Sequence, residues 1–147
     1  MLQLEKKANR LDPVIEDRQA KFDRESESLN VVRQKRIETA AAMRAKQTEY
    51  MAGVTRLNEE RGTSNRLMLE ALEGGLDSVK SQWMRLYQAV VELERAEKEQ
   101  IDVMSQAHRD LEAIKTLQNK YNVEAGKEIK RREQKEMDDH SIRKFAR

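Results

Sequence analysis

The chain has 147 residues, of which 38% are charged and only 4% aromatic, with one proline, five glycines and no cysteine. Such a chain cannot enclose a thick interior; a mixture rich in Ala, Glu, Lys, Leu and Arg at heptad spacing suits a seam between long helices. The 29 basic residues are offset by 27 acidic ones along nearly the whole length, so a general affinity for nucleic acid is not implied and a basic nucleic-acid or membrane-surface binder is disfavoured, while the lack of cysteine excludes disulfides and thiolate metal sites.

Asp12-Pro13 is the first strong punctuation, because Asp can cap a helix and Pro can occupy its first position, where the missing amide needs no partner. A helix is expected from about 13 to 60. Residues 1–12 either extend it through a kink or form a loosely held arm, since Pro13 breaks the ladder of any uninterrupted helix. Ile15, Phe22, Leu29, Arg36, Met43, Tyr50 and Leu57 recur every seven residues, and six of the seven are apolar or aromatic. A sustained period of seven denotes a supercoiled helix.

A break follows at Glu59 to Asn65, with a turn expected at about 61–64. Gly62 can end the first helix in a left-handed conformation, and Thr63 or Ser64 can cap the next. So short a turn forces the helices to run antiparallel. The second helix, expected from about 65 to 137, carries two columns: Leu69, Leu76, Trp83, Val90, Glu97, Met104, Leu111 and Gln118, and Leu72, Val79, Leu86, Leu93, Gln100, Ala107, Ile114 and Tyr121. Thirteen of these sixteen positions are apolar or aromatic, too many for a chain that is 37% hydrophobic unless they form one seam. Folding about residues 61 and 62 sets Ile15 opposite about residue 108 and leaves the chain from about Asn122 onward without a partner, ending in a flexible stretch at 138–147. The fold class is all-α: one long antiparallel two-helix coiled-coil domain with an unpaired C-terminal helical tail.

Little in this pattern suggests chemistry. The two histidines, His108 and His140, have no cysteine and no triad arrangement around them, and there is no GxxxxGK[ST], GxGxxG or HExxH motif. The chain therefore reads as a non-enzyme without cofactor or catalytic residues, and His108 as a partly exposed neighbour of the seam. No apolar run approaches the roughly 20 residues that span a bilayer, and the N-terminal residues lack the pattern of a secretory signal, so the expected location is cytoplasmic.

Three features invite a binding role. Gly74-Gly75 inside the second helix is either a tolerated flexible point or a place where a partner or the first helix approaches the backbone. Near the turn, Met43, Tyr50, Met51, Leu67, Met68, Leu69, Leu72, Leu76, Val79 and Trp83 supply more apolar surface than a two-helix seam requires; either they pack on each other or those at the margin dock a partner. The tail from 127 to 147 has eight Lys or Arg and five Asp or Glu, with apolar residues only at Ile129, Met137, Ile142, Phe145 and Ala146. A charged run of this kind is either a solvated end or a helix that inserts into a groove of a second protein.

The chain resembles the FliJ family, related to the YscO proteins of injectisomes, in Leu11-Asp12-Pro13-Val14-Ile15, Gln47-Thr48-Glu49-Tyr50, Thr63-Ser64-Asn65-Arg66, Arg131 to Asp139, and Arg143-Lys144-Phe145. The resemblance implies a rod standing in the hexameric ring of the export ATPase FliI, contacting the export gate protein FlhA and assisting export chaperones, peripheral at the inner face of the cell membrane. It places gate binding near Met43, Tyr50, Leu72, Leu76, Val79 and Trp83. For the ATPase ring, the unpaired tail supplies Ile129, Lys130, Arg131, Arg132, Lys135 and Met137. Thr39, Lys46 and Gly74-Gly75 depart from the family's pattern. A scaffold coiled coil and an injectisome YscO-type stalk remain as alternatives.

Overall fold

The computed structural model describes residues 3–63 and 65–145, and every element in that part is helical: α1 is Gln3–Arg10, α2 is Asp12–Glu60 and α3 is Arg66–Phe145. The fold is an all-α, antiparallel coiled-coil hairpin. Its contacts fall into two compact units, residues 26–102 on one hand and 1–25 with 103–147 on the other.

In the unit of residues 26–102, α2 and α3 are joined by a tight turn. Arg61 N donates to Leu57 O at 3.1 Å and Thr63 N to Glu60 O at 3.1 Å, so the last turn of α2 closes on its own carbonyls. Gly62 keeps a negative φ, because these short-range bonds end the helix without the left-handed residue expected there. The cap of α3 is Asn65, whose Oδ1 accepts the amide of Met68 at 2.9 Å while its carbonyl accepts Leu69 N at 3.1 Å. That side-chain oxygen satisfies one of the four orphan amides of the helix start. The cap lies beyond Thr63, and Ser64, the other residue expected to cap, falls outside the described residues.

This later start moves the seam. Tyr50 packs on Trp83, with ring centroids 5.7 Å apart and planes tilted by 36°, and Leu76 packs on the backbone of Gly53. All sixteen column positions of α3 and all seven of α2 are buried or half-buried, the polar Glu97, Gln100, Gln118 and Arg36 included. The columns thus face the seam as expected, whereas the register across them differs from that expected.

In the other unit, α1 and the first turns of α2 lie antiparallel to α3. Phe22 sits against His108, their rings 5.3 Å apart; folding about residues 61 and 62 would have put Ile15 there, one heptad away. The N-terminal arm is helical and packed: Ala8 is 1% exposed and Ala125 only 3%. At Pro13 the ladder breaks as expected, with Leu11 N bonding Ala8 O at 3.1 Å and Ile15 N bonding Leu11 O at 2.8 Å. Because α1 continues the seam, residues 122–128 are not free as expected; the exposed stretch begins at Ile129. From there to Phe145 every residue is exposed, yet α3 continues to Phe145, past the end expected at about 137. Ala146 and Arg147, also counted in the tail, lie outside the described residues.

Candidate functional site: the half-buried margin and the bare tail

The expected gate-binding residues Met43, Tyr50, Leu72, Leu76, Val79 and Trp83 all lie along the seam of residues 26–102, half-buried. Tyr50 and Trp83 contact each other and Leu76 meets Gly53, so these side chains hold the hairpin together while leaving part of each surface open. Of the crowded residues near the turn, Met51, Leu67 and Met68 are the exposed ones, Leu67 at 78%.

The first helix does not approach Gly74 or Gly75: a Cβ at either would meet nothing within 4 Å among the described residues. The close approach is at Gly53, where a Cβ would run into Leu76 Cδ2. Its signal in the sequence is its position, three residues after Tyr50 and four before Leu57, on the seam side of α2.

Glu97 is the second feature missed. It occupies a column position, and its carboxylate accepts Arg33 Nε at 3.2 Å and also Arg36 Nε. Burial alone would raise its pKa, but the hydrogen bonds and charges of Arg36 and Arg33 outweigh that and hold the carboxyl below its ordinary value. The sequence displays Glu97 and Arg36 as polar interruptions of the seam; only the register sets them, with the exposed Arg33, at the same level.

The expected ring-binding residues Ile129, Lys130, Arg131, Arg132, Lys135 and Met137 are all exposed along one helix, Met137 at 65%. Arg132 donates to Glu128 at 3.1 Å. Beyond them Ile142 is 66% and Phe145 94% exposed. Just before this stretch the helix is anchored: Gln118 Nε2 donates to Ala8 O at 3.0 Å and to Asp12 Oδ1 at 2.6 Å, and Lys7 lies over the Tyr121 ring at 5.9 Å.

Among the described residues no group of His, Asp and Glu could hold a metal ion, and no helix is long and apolar enough to cross a membrane. Half-buried side chains along a two-helix seam, followed by an exposed charged helix, define a helical coiled-coil protein. The model of the flagellar FliJ protein family matches residues 6–147, and the chain belongs to that family. Its role is therefore in flagellar protein export, in association with the export apparatus, within a family of non-enzymatic stalk and adaptor proteins. No curated protein and no solved structure matches the chain.

Proposed function

We propose that the protein is the central stalk and adaptor of the flagellar export ATPase complex. In this reading the tail enters the FliI hexamer, the seam margin at Met43, Tyr50, Leu72, Leu76, Val79 and Trp83 contacts the gate protein FlhA, and the protein assists export chaperones while peripheral at the membrane. The observation that carries the reading is the tail: from Ile129 to Phe145 every residue of the helix is exposed, presenting Lys130, Arg131, Arg132 and Lys135 with Ile129 and Met137 as apolar anchors. A largely polar contact of this kind can favour one conformation of a ring subunit over another without performing chemistry.

One experiment tests both ends. A chain truncated after Glu128 keeps the Ala125 and Gln118 contacts and is expected to lose stimulation of the ATPase ring while retaining gate binding. Tyr50→Ala with Trp83→Ala is expected to show the reverse, weakening gate binding by roughly tenfold or more. If the truncated chain stimulates the ring fully, the tail assignment is wrong. If the tip variant only lowers the melting temperature, those residues are seam alone.

A further inference from the structure

Asp77, Lys80, Met84, Tyr87, Val91, Glu94 and Lys98 are spaced alternately by three and four residues, so they share one face of α3. Each lies one residue after a seam position, which turns the face by about 100° from the seam. On α2, Ile37, Arg44 and Met51 are shifted from the seam in the same way. The rotation has one hand about each helix axis, and the axes are antiparallel, so both shifted faces come to the same flank of the hairpin. Around Arg44 that flank is apolar: Met84 is 51%, Tyr87 54%, Val91 40%, Ile37 50% and Met51 53% exposed.

The charges around this centre are spare. Asp77 with Lys80 and Glu94 with Lys98 have the spacing of intrahelical ion pairs, yet none of the four has an ion-pair partner among the described residues. Their order has a two-fold property. Laid antiparallel on a copy of itself about Tyr87, the face sets Lys80 against Glu94, Asp77 against Lys98 and Met84 against Val91, each twice by symmetry. The companion face of α2 sets Ile37 against Met51 about Arg44, which meets the Arg44 of the copy, a like-charged contact that the apolar and paired residues around it must offset. An isologous interface requires this kind of self-complementarity.

We propose that this flank is a homodimer interface, on which two copies pack antiparallel as a four-helix bundle centred on Tyr87. The occupant is a second copy because one strip of sequence supplies both the charges and their complements in the order an antiparallel copy reads them. None of the tail residues from Ile129 to Phe145 takes part in this interface.

The test is the mass of the full chain by analytical ultracentrifugation over a concentration series. Wild type is expected to dimerise with a concentration-dependent equilibrium, and Tyr87→Glu to be monomeric with unchanged helicity. Lys80→Glu and Glu94→Lys each place like charges opposite one another twice and are expected to weaken the dimer by about tenfold or more. Mixed in equal amounts, these two variants restore both pairs between unlike chains and are expected to recover dimerisation. A wild type that stays monomeric at concentrations on the order of 100 μM overturns the proposal. So does a mixture that associates no better than its components, which would leave the flank to another protein or to solvent.

Discussion

The two compact units use the same seam differently. The unit of residues 1–25 and 103–147 buries small side chains most deeply, Ala8, Ala107 and Ala125, with Leu111 beside them. Its other ties are polar or aromatic and specific: Arg18 Nη1 to the carbonyl of Asp110, Gln118 to Ala8 and Asp12, Phe22 on His108. The unit of residues 26–102 buries Leu29, Leu57 and Val90 and stacks Tyr50 on Trp83. Each buried CH2 is worth about 0.8 kcal/mol, so the second unit draws its stability from area. The first draws less from area and more from donors matched to acceptors, which hold one register.

Exchanging the sizes of buried side chains should separate these two modes and gives the largest effects. Leu29→Ala is expected to destabilise the unit of residues 26–102 by about 2 to 3 kcal/mol, from lost transfer energy plus a cavity. In the other unit the equivalent injury is enlargement: Ala107→Leu forces the close-packed helices apart at a cost of about 1 to 3 kcal/mol. Urea unfolding with hydrogen exchange read separately over the two units checks both. An Ala107→Leu variant as stable as wild type would show that the alanine seam is loose, and the comparison would break.

Glycines give a smaller effect with a sign that depends on position. Gly74→Ala and Gly75→Ala each place a methyl group in open space within a helix and are expected to add up to about 1 kcal/mol of stability apiece. Gly53→Ala gains the same propensity but must displace the end of Leu76, so it is expected to add less or to destabilise. Thermal melts of the three variants rank them; equal gains at all three would mean that Leu76 moves at no cost and that Gly53 is not a packing glycine.

These positions also show what the sequence made legible. Heptad columns report which side of a helix is buried, and they did so even where the residue was Arg36, Glu97 or Gln118. They do not report which turn of one helix faces which turn of the other, because every heptad resembles the next. That depended on the cap, and Thr63, Ser64 and Asn65 are all good capping residues in a row; choosing among them shifts the seam. The pairing of Glu97 with two arginines and the role of Gly53 were hidden for the same reason. The arm before Pro13 was hidden because Ala8, the residue that continues the Ile15 column, is too small and common to signal burial by itself. The bare tail was legible in composition, but its true start at Ile129 required knowing how far α1 reaches.

Glu97 offers the finest distinction, since it is the place where the large-residue seam depends on charge. Its side chain is 16% exposed and those of Arg33 and Arg36 are 45% and 32% exposed, so solvent screens the cluster and its contribution is small. The sign follows from the direction of the shift. A carboxyl held below its ordinary value of 4.5 adds stability when it is ionised in both the folded and unfolded chain, and that stability is lost as pH falls through the lowered folded value. Glu97→Gln is therefore expected to be less stable than wild type at neutral pH, with the gap narrowing as the pH is lowered through and below 4.5 and as salt is raised. Denaturation of both proteins across that pH range measures the gap directly. A gap that stays constant with pH would assign Glu97 to packing and hydrogen bonding alone, and the seam of this unit would then owe nothing to the charge it encloses.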